Sequence, residues 1–355
     1  MAKEIQAGFL TGVVSLAVVT AAAVMVHLAY ANVVLRTPSL HRLPGYARIY
    51  WGEGGGWVAR FSHSLGLAGA LLAYVVLGGH FIGALIAAAY PAASYFWGPL
   101  TFYLLGVTII FWDIRFESLT NAILTVGLIF SIIVLAFFLL PRISLSSFTG
   151  FQIERLVLPY GVLLFAMAGA AVIPDMTNLL AKNNSRRLKK MVIAGTVIPA
   201  LIYLIFAFFI VGATGGQTTP DAIGGLAGRF GRGYLTAGTV IGFLATITSF
   251  VPLGLTLKGM LVSDFGMRAR PAWLAAALTP GVLYLLGFHD FIAIISIVGA
   301  VAIGIDSILI LMLERETALK RRAGGFRLFR HKEARFLLIF VFVAGIAYEL
   351  NAILR

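Results

Sequence analysis

Two carboxylates in apolar surroundings are the residues of this chain most suited to chemistry. Asp306 lies within Ile303-Gly304-Ile305-Asp306-Ser307-Ile308-Leu309. A carboxylate at the centre of a membrane-crossing helix costs about 2.5–3.5 kcal/mol on insertion scales. It therefore needs a partner or a watery cavity, and reads either as a proton or cation site or as a structural hydrogen bond. Asp175 directly follows Pro174. It reads first as a cap on a helix start and second as the lining of a polar pathway. His27 and His80 each sit alone in an apolar run, where a packed, satisfied ring is the plainer reading than a ligand or relay. Thr246, Thr248 and Ser249 crowd four positions, and such hydroxyls commonly bond their own backbone one turn back. The chain has no cysteine, so thiolate chemistry, disulfides and thiolate metal sites are excluded. No serine has a Gly-x-Ser-x-Gly setting and no paired-histidine metal motif is present. No catalytic cluster stands out, so neither an enzyme nor a resident cofactor or metal is expected.

The elements that must hold these residues are membrane helices. Of 355 residues 60% are hydrophobic and 12% charged, with mean hydropathy +0.97, against about 25% charged in a soluble domain. A run of about 18 or more apolar residues crosses the hydrocarbon core as a helix. Ten spans are predicted, at about 8–34, 63–89, 97–112, 118–140, 156–180, 188–212, 233–257, 272–287, 291–313 and 335–353. The third and eighth are the shortest. The net charge of +13 is not a nucleic-acid signal, because the basic residues fall between apolar runs. Of the 27 lysines and arginines, all but Lys3, Arg142, Arg155, Arg229, Arg232 and Arg355 belong to one alternating set of loops. That set predicts the cytoplasmic side, with both termini outside.

The fifth span is the most informative. It reads Leu158-Pro159-Tyr160-Gly161, then Phe165 through Ala168-Gly169-Ala170-Ala171 to Ile173-Pro174-Asp175-Met176. Pro174 has no N–H and clashes with the carbonyl one turn back, at Ala170. The backbone at Ala168, Gly169, Ala170 and Ala171 is thus a place for the helix to unwind. A simple proline kink with small residues for close packing explains the same letters.

These words resemble the sixth helix of the hydroxy/aromatic amino acid permeases, within the amino acid–polyamine–organocation superfamily. Gly195-Thr196-Val197-Ile198-Pro199 resembles the seventh helix of that family. Thr248-Ser249-Phe250 through Ser263-Asp264-Phe265 resembles the eighth, and Leu43-Pro44-Gly45-Tyr46-Ala47 the loop after the second. The resemblance implies an all-α, LeuT-like bundle of two inverted repeats in one transmembrane domain over 1–355. Residues 8–140 would form a first repeat of four helices, 156–313 a second of five, and 335–353 an extra helix. The ten spans would be helices 2–11, because Met1–Gly12 resembles the link from helix 1 into helix 2. The stretch upstream of the Met1 codon is then expected to encode about 20 apolar residues with a glycine-rich centre, which sequencing it would reveal. Without them the chain is expected to be impaired.

What the resemblance implies about function is secondary active transport of an amino acid, coupled to H+ or Na+, across the cell (inner or plasma) membrane. Backbone at Ala168 to Ala171 would hold the substrate, with Phe165 covering it and Tyr74 at its edge. Thr246, Thr248 and Ser249 would ligate sodium, while Asp306 and Asp175 would serve ion or proton coupling. The implied partners are the amino acid and the lipid bilayer, with no nucleic acid. A non-transporting membrane remnant or partner protein, and an unrelated ten-helix metabolite carrier, remain as alternatives.

Overall fold

The computed structural model describes residues 8–90, 97–112, 119–148, 150–180, 185–230, 232–320, 328 and 332–354. Among the basic residues considered above, Lys3, Arg115, Lys182, Arg321, Arg322, Arg327, Arg330 and Arg355 lie outside them. The described residues form helices and no strand. In chain order these are α1 (Phe9–Arg36), α2 (Leu43–Ala89), α3 (Trp97–Phe111), α4 (Leu119–Leu139), α5 (Tyr160–Ala166), α6 (Ile173–Leu180), α7 (Ser185–Thr214), α8 (Gly224–Phe230), α9 (Arg232–Ser263), α10 (Ala269–Leu285), α11 (Phe291–Ile297), α12 (Gly304–Lys320) and α13 (Lys332–Ile353). A π-helical segment, Val298–Ile303, joins α11 to α12.

Among the described residues, eight helical stretches are long and apolar enough to cross a bilayer. α3, with 15 residues, and α10, with 17, fall short of that length, so length alone does not reach the ten spans predicted. A second difference is larger. The sequence pattern predicts a loop up to residue 62, but α2 begins at Leu43 and runs for 47 residues. Its early turns contain Gly52, Gly54, Gly55 and Gly56, each unfavourable in a helix. Tertiary contacts override that propensity. Leu43, Tyr46, Ala47 and Ala59 are buried, and Arg60 pairs with Glu53 at 3.0 Å and covers the Trp57 ring. The kink is taken up at Gly52, whose φ of 74° suits a residue without Cβ.

The chain divides into two compact units. Unit one comprises Met1–Leu10, Leu67–Phe151 and Ile205–Ile295. Its core sets Leu71, Phe102, Phe250 and Met260 together, with Phe102 and Phe250 edge to face at 5.5 Å. A second cluster joins Phe81, Leu139, Ile210 and Leu226. Unit two comprises Thr11–Gly66, Gln152–Leu204 and Ser296–Arg355. α1 is buried without interruption from Val26 to Val34, as expected of a helix enclosed on every side. Around it pack Tyr46, Leu163, Leu188, Ile310, Leu311 and Phe342. In contrast, only 11% of the apolar window of α4 and 17% of that of α13 is buried, against 67% for Phe291–Lys320. The exposed faces of α4 and α13, with Phe130, Phe137, Phe336 and Phe340, are the apolar surface a bilayer covers.

One buried carboxylate ties three helices of unit two. Glu314 on α12 is paired with Arg36 of α1 at 2.9 Å and with Arg335 of α13, and it accepts from Asn32 at 3.3 Å. Elsewhere in unit two, backbone meets backbone. A Cβ on Gly299 of the π segment would collide with the carbonyl of Gly161 on α5 and lie 2.8 Å from the Phe165 nitrogen. Gly299→Ala is therefore expected to cost about 1–3 kcal/mol of stability through overpacking. The melting temperature of the detergent-solubilised protein should fall clearly, whereas Gly195→Ala, where a Cβ meets open space, should leave it unchanged or slightly raised.

Candidate functional site

In unit two the fifth span is interrupted. α5 ends at Ala166 and α6 starts at Ile173, with Met167–Gly169 outside any helix and a single 3-10 turn at Ala170–Val172. Met167 and Ala168 still donate to Leu163 and Phe165. The N–H groups of Gly169, Ala170 and Ala171 open a new turn, where helix geometry gives them no carbonyl one turn back. Pro174 is the second residue of α6, where a missing N–H costs nothing. The same proline that stops α5 from continuing thus starts α6.

Two side chains from elsewhere in unit two, His27 and Arg42, reach the interruption. The His27 ring of α1 lies against Gly169, 3.1 Å from where a Cβ would stand, and its Nδ1 is 2.8 Å from Thr196 Oγ1 of α7. Arg42, just before α2, donates to the Ala171 carbonyl at 2.9 Å and pairs with Asp175 at 2.9 Å. That guanidinium occupies a carbonyl freed by the break and holds a carboxylate in the first turn of α6, where a negative charge suits the helix dipole. The hydroxyls of Tyr160 and Ser296 are buried beside the contact of α5 with α11 and make no hydrogen bond within the described residues. Buried hydroxyls of this kind ordinarily have a partner, so both are available to water or to a polar group of a ligand.

Asp306, in the first turn of α12, receives Ser62 Oγ on Oδ1 at 2.7 Å and faces His63 Nδ1 across 2.7 Å from Oδ2. Phe165 is half-buried on α5, Ala168 exposed, and Gly169, Ala170 and Ala171 half-buried.

The other predicted residues lie in unit one. Tyr74 packs at the edge of the cluster around Phe102 and Phe250. Thr246, Thr248 and Ser249 of α9 each donate to carbonyls one turn back, at 2.8 to 3.0 Å. Unit one also encloses a cavity of about 630 Å³, lined by His80, Pro99, Asp221, Tyr284, His289 and Phe291 among others. His80 is therefore not only packed: its Nε2 lies 3.2 Å from Asp221. Asp221 stands outside the spanning segments and caps α8 by accepting from the Gly224 amide at 3.2 Å. Burial pushes its carboxyl up, but hydrogen bonds from His80, Thr219 and Gly224, together with the His80 charge, outweigh burial and hold it below the usual carboxylate value.

Residues 2–351 match the tryptophan/tyrosine permease family. The chain belongs to that family. A comparison with curated proteins finds no match. The permease is accordingly a multi-pass membrane protein and an amino acid transporter, and the unrelated ten-helix carrier is set aside. Sequence reasoning missed His63, Ser62 and Arg42. The signal for the first two was the polar triplet Ser62-His63-Ser64 at the head of an apolar run. Arg42 was indistinguishable from the topology-setting arginines around it.

The cap at Asp221 gives a pH test. A carboxyl held below its ordinary 3.8 contributes stability that is complete above that pH and is lost as pH falls through the lower folded value. Asp221→Ala is expected to cost about 1 kcal/mol near neutral pH by loss of the cap. The gap between the melting temperatures of variant and wild-type permease should close as the pH is lowered below 3.8.

Proposed function

We propose that the permease carries an aromatic amino acid by alternating access, as a secondary transporter of LeuT-like architecture coupled to H+ or Na+. The observation that carries this reading is the interrupted helix α5–α6 in a segment apolar enough to span the bilayer. Irregular backbone at membrane depth is tolerated where it is enclosed by protein or lines a cavity, and discontinuous helices are how many secondary transporters form a substrate site. The N–H groups of Gly169, Ala170 and Ala171 suit the substrate carboxylate. Phe165, one turn before them, suits the ring, with Tyr160 and Ser296 near by for its polar groups. Asp306 and Asp175 supply candidate coupling carboxylates. The permease would sit in the cell membrane with its basic loops cytoplasmic and its C-terminus outside.

Uptake of labelled tryptophan and tyrosine by cells producing the chain tests this directly. Gly169→Leu fills the break against His27 and should lower uptake by roughly tenfold or more, a loss of at least about 1.4 kcal/mol, at unchanged membrane abundance. Unaltered uptake by that variant would remove the break from the substrate site.

A further inference from the structure

A carboxylate inside a spanning segment ordinarily marks a functional group whose partner must be named. For Asp306 the partners are Ser62 and His63 of α2, and each takes one carboxylate oxygen. The pair is enclosed: the side chains of His63 and Asp306 are 14% and 13% exposed. Ser62 has a second neighbour. Its Oγ lies 3.2 Å from the carbonyl of Ala302, in the π segment. A hydroxyl has one proton to donate, so Ser62 serves either the carboxylate or that carbonyl. Local π-helical geometry within an α-helix is frequent at functional sites, and here it is backed directly onto α5. Gly161 and Gly299 leave no side chain between the two backbones, so a change of packing in the π segment reaches α5, which ends at the break.

We infer that His63 and Asp306 together hold the coupling proton of this transporter, and that Ser62 conveys their charge state through the π segment to the α5–α6 break. The inference rests on the permease reading above and names its coupling ion and the residues that carry it. Without the proton the pair is an imidazole and a carboxylate, with net charge −1. With it the pair is neutral overall. Histidine is the side chain whose ordinary range brackets neutrality, and loss of net charge favours passage of the site through a low-dielectric interior. A neutralised carboxylate also releases Ser62 toward Ala302. Other ionisable groups on the helices of this region include His27 and Tyr30 on α1, Tyr46 and the Arg60–Glu53 pair on α2, Tyr160 on α5, Glu314 with its two arginines and its neighbours Arg315 and Glu316 on α12, and buried Glu349 on α13.

The test uses the purified full chain in liposomes of phosphatidylethanolamine and phosphatidylglycerol, with two readouts. One is exchange of labelled tryptophan for internal tryptophan without any ion gradient. The other is accumulation driven by an inside-alkaline pH step. His63→Gln and Asp306→Asn should keep exchange within about twofold of wild type and lose pH-driven accumulation by about tenfold or more. Asp306→Glu should recover part of the accumulation. The inference is overturned if the Gln and Asn variants accumulate like wild type. It is overturned equally if both lose exchange together with accumulation, since the pair is then structural, or if wild type accumulates under a sodium gradient and not under the pH step. Wild type that exchanges neither tryptophan nor tyrosine defeats the permease reading itself, and the coupling role with it.

Discussion

A bilayer core offers no hydrogen bonds, so every backbone polar group at membrane depth must find its partner within the protein. The break between α5 and α6 is a place in unit two where the chain departs from regular helix: Met167–Gly169 lie outside any helix, and the ring of Pro174 disfavours helical backbone in the turn before it. Much of what surrounds the break answers it. Arg42 takes the Ala171 carbonyl. His27 closes over Gly169 and is itself held by Thr196. α11 and the π segment back onto α5 so closely that two glycines face one another. Near the other end of α5, the buried hydroxyls of Tyr160 and Ser296 make no hydrogen bond within the described residues.

The same constraint governs charge, and Glu314 and Asp306, both on α12, resolve it in different ways. Glu314 is matched by two guanidinium groups and an amide. Arginine does not give up its proton in proteins, and the cluster serves as a fastening for α1, α12 and α13. Breaking such a pair strands buried charge and costs about 3–5 kcal/mol. Asp306, two turns earlier, is matched by a histidine and a serine. Both partners can change what they donate, so the second cluster has more than one state. The identity of the partner, rather than the carboxylate, separates a fastening from a switch.

Long apolar runs made the spanning helices legible before any coordinates, because periodicity hardly matters where lipid or protein covers every face. Proline beside a stretch of glycine and alanine made the interruption of the fifth span legible too, since that steric conflict is local. The beginning of α2 was not legible. Four glycines and two arginines within about twelve residues carry the composition of a loop, and only burial of Leu43, Tyr46 and Ala59 in the core of unit two makes them helical. His80 reads as an ordinary packed ring until Asp221, 141 positions later, is seen beside it.

What the sequence determined by itself was therefore everything that depends on neighbours along the chain: the membrane, the spans, the break and the residues that cannot bear to be alone there. The partners were decided only by tertiary structure. Asp306 declared its need for a partner through the cost of its own burial, but His63 lies 243 residues away. No local rule connects two positions that far apart; packing of α2 against α12 does.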